Sequence, residues 1–165
     1  MLIRRPLVKH QEGPTLKVGN HQRQTLTLAL GGTPDATSLW VSLVVGLLVS
    51  ELLLLNQLPD RDADRYVGRR HLVILLGAHR AARLVGVLLL AAFAVVALGI
   101  LVGGLPTTAW LVWLVLPGAL WLVWRLPAEA LATPSSRLEP LMGLNVGVLL
   151  GALTLLLLGL WLGTA

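Results

Sequence analysis

The sequence predicts an all-α integral membrane protein built from about four transmembrane helices. Of its 165 residues, 56% are hydrophobic and only 13% charged, with a mean hydropathy of +0.80, which does not suit a water-exposed surface. The apolar residues fall in uninterrupted runs of about 20, enough to cross a hydrocarbon core roughly 30 Å thick. Those runs lack the period-two alternation that an outer-membrane barrel needs. Cysteine is absent, which excludes disulfides, thiolate catalysis and Cys-ligated zinc or iron–sulfur sites. The formal charge of +5 and the pI of about 11.1 come from Lys and Arg that border apolar spans, so they point to membrane topology and not to nucleic acid.

Residues 1–27 read as a basic polar tail with Arg4, Arg5, Lys9, Lys17 and Arg23, and residues 28–165 as the transmembrane portion. Pro6, Lys9, His10, Gln11 and Glu12 follow the first arginines where a signal peptide would have its apolar core. The first span covers about 39–55 and contains Ser42, Ser50 and Glu51. The second, about 84–105, is uncharged and ends at Gly103, Gly104 and Pro106, the residues of a tight turn. The third span covers about 107–124 and the fourth about 141–162. A loop with Arg125, Pro127, Glu129, Pro134, Arg137, Glu139 and Pro140 separates them.

The loop after the first span carries Arg61, Arg65, Arg69, Arg70, Arg80 and Arg83, the third-to-fourth loop Arg125 and Arg137, and the 103–106 turn no cation. Positive-inside bias therefore places both charged loops in the cytoplasm, the setting of a bacterial or archaeal cytoplasmic membrane. Trp40, Trp110, Trp113 and Trp161 then belong to the outer interface, and Trp121 and Trp124 to the inner one. Four crossings would leave the basic tail outside, against the same bias, and the apolar stretch 26–30 is too short to span. The expectation is a chain whose earlier helices are missing.

The segment from Asn56 to Gly77 concentrates both charge signs beside the first span. Asn56, Asp60 and Asp64 are four residues apart, so a continuing helix projects them from one face with about 40° of drift per step. Asp62 points elsewhere, and Pro59 removes one backbone hydrogen bond. Two carboxylates and an amide oxygen suit Mg²⁺, which takes one or two carboxylates and fills its remaining positions with water and phosphate oxygens. Arg69 and Arg70, with Arg65 and Arg61 nearby, offer charge-assisted hydrogen bonds to a diphosphate. On spacing alone, a solvated juxtamembrane loop whose charges fix topology accounts for the segment equally well.

The pattern Asn56-x-x-x-Asp60-x-x-x-Asp64, followed by Gly68-Arg69-Arg70-His71-Leu72 and Gly77, resembles the second aspartate-rich motif of the UbiA superfamily of intramembrane prenyltransferases. Its wording is most similar to the branch that prenylates 1,4-dihydroxy-2-naphthoate in menaquinone biosynthesis, and the likeness runs from about residue 28 to the end. The resemblance implies a helical bundle around a cavity, in which Asp60 and Asp64 are catalytic and, with Asn56, hold Mg²⁺. It further implies that Arg65, Arg69 and Arg70 bind the diphosphate of an allylic prenyl diphosphate, whose prenyl group passes to an aromatic acceptor. A tunnel lined by Leu and Val would hold the isoprenoid. The family's earlier Asn-Asp-x-x-x-Asp motif is absent from this chain, and Asp35 cannot replace it, so the resemblance covers a C-terminal portion, to be completed either by a separately encoded N-terminal half or by sequence upstream of Met1. Arg69-Arg70 stands where the family commonly has Lys-Arg, and His71 where Thr is frequent.

Glu51, about one turn before Asn56, and Asn145 in the last span are cavity candidates; the plainer reading of each is an interhelical hydrogen bond. His71 and His79 lack a third ligand for zinc, and His10 and His21 lie in the unassigned tail. Gly143, Gly147 and Gly151 read as a close-packing stripe. The rival enzyme class, CDP-alcohol phosphatidyltransferases, needs an Asp-Gly-x-x-Ala-Arg opening that this sequence lacks. The non-enzymatic rival is a small helical membrane subunit or an inactive remnant.

Overall fold

A computed structural model describes residues 35–131 and 138–164. The tail, the 26–30 stretch, His10, His21, Pro134 and Arg137 lie outside the described residues. All the regular structure described is helical: α1 (Ala36–Tyr66), α2 (Leu72–Leu76), α3 (Ala78–Leu101), a 3₁₀ segment (Thr107–Val115) running into α4 (Leu116–Glu129), and α5 (Glu139–Leu162). Four stretches are long and apolar enough to cross a membrane, namely α1, α3, the 3₁₀–α4 unit and α5, so the chain is an integral membrane protein.

Helix α1 extends eleven residues past the apolar span, with Pro59 inside it, because Asp60–Tyr66 can hydrate while keeping helical hydrogen bonds. At about 1.5 Å per residue its 31 residues measure some 46 Å, more than a hydrocarbon core, so its acidic end stands clear of the apolar layer. Gly68, at φ +76°, then turns the chain through the left-handed region that glycine enters without steric cost.

Association in lipid rests on close packing and interhelical hydrogen bonds more than on apolar transfer, and the buried faces accordingly mix leucines with small residues. Helix α1 packs mainly on α3, α3 on α4, and α5 on the 3₁₀ segment, around Leu48, Leu55, Leu89, Val96, Leu122 and Leu156. Gly143 and Gly147 face open space, and of the expected glycine stripe Gly151 alone packs closely within the described bundle, where an added Cβ would lie 2.9 Å from Val115 Cγ1. The buried face of α5 instead follows Leu141, Asn145, Val148, Ala152, Leu156 and Gly159. At Gly159 an added Cβ would come within 2.7 Å of the Thr108 carbonyl oxygen and 2.9 Å of Ala109 Cα, making this the tight crossing.

The 103–106 turn closes over the start of α1. Thr37 Oγ1 donates to the Gly104 carbonyl at 3.1 Å, and the Trp40 indole occupies the space a side chain at position 104 would need. In the 3₁₀ segment residues three apart eclipse, which brings Trp110 and Trp113 edge to face at 5.1 Å between ring centroids. At the opposite end the Arg125 guanidinium lies 6.0 Å from the Trp121 ring centroid.

The apolar void between Val44, Leu48, Phe93, Val112 and Leu156 measures about 10 Å³, at the lower limit for one water.

Candidate active site

Continuation of α1 to Tyr66 converts the four-residue spacing into a shared face. Asn56, Asp60 and Asp64 line one open cleft of about 540 Å³ with Leu53, Gln57, Arg69, Arg70 and His71. Asn56 and Asp60 are exposed, and Asp60 forms no ion pair among the described residues. Asp64 is more sheltered, its side chain 16% exposed, and both oxygens are engaged: Arg69 Nη1 donates to Oδ1 at 3.0 Å, and His71 Nε2 lies 3.1 Å from Oδ2. Arg69 also donates its backbone N–H to the Asp64 carbonyl at 2.9 Å, which folds the basic loop back onto the acidic helix end.

Arg65 does not join this cleft. One residue on from Asp64 is a 100° step around the helix, and Arg65 lines a separate pocket of about 120 Å³ with Arg61, Asp62, Val73, Ile74, Gly77 and Ala78. Arg61 in that pocket donates to the Ala130 carbonyl and lies 3.6 Å from Asp62, while His79 Nδ1 donates to the Pro127 carbonyl at 3.2 Å. Both contacts satisfy carbonyls at the C-terminal end of α4 that have no intrahelical partner. Arg61 and His79 thus tie helices together.

Glu51 and Asn145 meet 94 residues apart in sequence, Asn145 Nδ2 donating to Glu51 Oε2 at 3.1 Å, with both residues fully buried. They lie in the α1–α5 contact and do not line the cleft. Glu51 Oε1 and Asn145 Oδ1 have no hydrogen-bond partner among the described residues, so the pair is only half satisfied. Asn145→Leu removes the one donor to Glu51 among the described residues and is expected to destabilise the fold by about 1–2 kcal/mol. Thermal unfolding in mild detergent reads this, and an unaltered midpoint would remove the bond from the account of stability.

Gln57 and His71 are cleft residues that sequence reasoning did not assign. The signal for His71 was its place directly after the Arg69-Arg70 pair; Gln57, whose buried Oε1 has no partner among the described residues, carried none beyond its neighbour Asn56.

No group of three or more His, Asp or Glu placed to hold a metal occurs among the described residues. The donor set is therefore two carboxylates and one amide along one helix face. It fits a cation of the Mg²⁺ type that draws its other ligands from water and phosphate, and not a cage made wholly by the protein. Exposed Arg69 and Arg70 beside the carboxylates give the same cleft a surface for anionic oxygens.

The model of the UbiA prenyltransferase family matches residues 25–130, a stretch that contains α1 to α3, the 3₁₀ segment and α4. No curated protein and no solved structure matches the chain.

Proposed function

Because the chain belongs to the UbiA prenyltransferase family, we propose that it acts in the transfer of a prenyl group from an allylic prenyl diphosphate to an aromatic acceptor, with the α1 cleft as the diphosphate end of the site. The observation that carries this reading is the gathering of Asn56, Asp60, Asp64, Arg69 and Arg70 in one open cleft at the end of a membrane-crossing helix.

In this reading Asn56, Asp60 and Asp64 hold Mg²⁺, which when bound would offset the charge of the departing pyrophosphate. Arg69 and Arg70 bind the remaining phosphate oxygens and are oriented to do so by the loop that Asp64 closes. The isoprenoid lies outside the packed core, along the exposed face of α1 that continues from Leu53 through Val49, Gly46 and Leu43. Apolar surroundings there keep water from the electron-poor carbon until the acceptor's aromatic carbon bonds to it, and a naphthoate acceptor then loses its carboxylate as carbon dioxide. The likeness of the Asn56–Asp60 and Gly68–Val73 wording supports 1,4-dihydroxy-2-naphthoate as acceptor and menaquinone as the product class. One helix face supplies one set of donors, and the second set is assigned to the family's N-terminal portion.

Turnover is expected to fall to background when EDTA is added to membranes holding the chain with its complementing half, and to return with excess Mg²⁺. Product is read as radiolabelled prenylated naphthoquinol. Chelation without effect would overturn the metal assignment, and prenylation of a different aromatic acceptor alone would overturn the naphthoate assignment.

A further inference from the structure

His71 is a departure within the motif, and the fold gives it one partner. It stands in extended conformation (φ −123°, ψ 174°) directly before α2, with its side chain 18% exposed and Nε2 3.1 Å from Asp64 Oδ2. An ionised carboxylate only accepts hydrogen bonds, so Nε2 carries the proton of this contact. The second partner of Asp64 differs in kind. The Arg69 side chain is 72% exposed, and an ion pair in that setting is screened and readily exchanged.

We propose that His71 is the positioning residue of the divalent-cation site. It holds Asp64 through Oδ2 and so keeps Oδ1 aimed into the cleft, while Arg69 leaves Oδ1 for a phosphate oxygen when cation and diphosphate arrive. This rests on the reading of Asp60 and Asp64 as cation ligands. Each carboxylate oxygen accepts at more than one position, so one bond from His71 leaves the other oxygen whole for the cation. Hydrogen bonds of this sort to a ligating carboxylate fix its orientation, and their loss commonly costs 10- to 100-fold in metal affinity. The backbone bond from Arg69 to the Asp64 carbonyl, at 2.9 Å, keeps the loop closed after the Arg69 side chain departs. His71 and Asp64 therefore remain in register during the exchange.

The test is Mn²⁺ binding followed by electron paramagnetic resonance on the full chain in lipid nanodiscs, in the presence of inorganic pyrophosphate. Asp60→Asn should abolish saturable protein-bound signal. His71→Ala should weaken Mn²⁺ binding at least tenfold. His71→Gln, which restores an N–H donor at similar reach, should recover most of that loss, and His71→Ala should add nothing in an Asp64→Asn background. Thermal midpoints measured in parallel separate loss of fold from loss of positioning. Wild-type affinity in His71→Ala, with Asp60→Asn still deficient, would overturn the role of His71 and leave the metal site standing. Equal losses in the Ala and Gln variants would reduce His71 to a loop contact. Absence of saturable binding, or its indifference to both aspartate variants, would sink the metal reading itself.

Discussion

Asp60→Asn is expected to lower prenyl transfer by about 10²- to 10³-fold, the scale seen when one group stabilising developing negative charge is removed. The substitution keeps shape and removes charge. Asp60 is exposed and unpaired among the described residues, so no fold contact goes with it, and the unfolding midpoint should stay within about 0.5 kcal/mol of wild type. Asp64→Asn should match it in lost turnover but also loosen the Gly68–His71 loop, because an amide cannot take N–H donors on both terminal atoms as Asp64 does from Arg69 and His71. The pair thus separates chemistry from architecture: one variant inactive and stable, the other inactive and less stable. Pyrophosphate release in reconstituted membranes measures the first property and thermal unfolding the second. Unchanged turnover in both would remove the aspartates from the site.

Gly159 is the second position where a small change should have a large effect. Its neighbours are the Thr108 carbonyl and the Ala109 backbone, which cannot swing aside as a side-chain tip can, and its own carbonyl accepts a bond from Thr108 Oγ1. Gly159→Ala is expected to cost about 1–3 kcal/mol by pushing α5 off the 3₁₀ segment, and Gly159→Val to exceed that. Gly147→Ala, on the same helix with open space around it, should be neutral. Denaturation from mild detergent into SDS compares the three. Equal stability at 147 and 159 would mean that the crossing relaxes freely.

The four crossings were legible because hydropathy is a property of segments, and each expected span overlaps an observed helix, as 84–105 does Ala78–Leu101 while overrunning its end by four residues. The shared face of Asn56, Asp60 and Asp64 was legible for the same reason, since a fixed rotation per residue places them once α1 continues. The same arithmetic separates Arg65 from Asp64, but charge suggested grouping it with Arg69 and Arg70. Contacts between distant segments were not legible. Glu51 and Asn145 each stood out as polar groups within a span, yet nothing local says that they pair. Of the glycines spaced 143, 147, 151, the first two face open space and Gly151 meets Val115, whereas Gly159 meets the chain only where the 3₁₀ segment crosses. That segment was itself unreadable, because Thr107–Val115 is apolar whichever helix it adopts.

The tighter winding of Thr107–Val115 has an optical consequence. With three residues per turn, Trp110 and Trp113 share an azimuth, and their rings sit 5.1 Å apart at 64°. Were the segment to rewind as an α-helix, three residues would cover 300° in place of a full turn, and the indoles would splay. Two chromophores at such distance and angle couple their electronic transitions, so the near-ultraviolet circular dichroism of this pair carries a signature of the helix type beneath it. The protein thereby holds a built-in gauge of its own backbone pitch, placed where α5 makes its closest crossing.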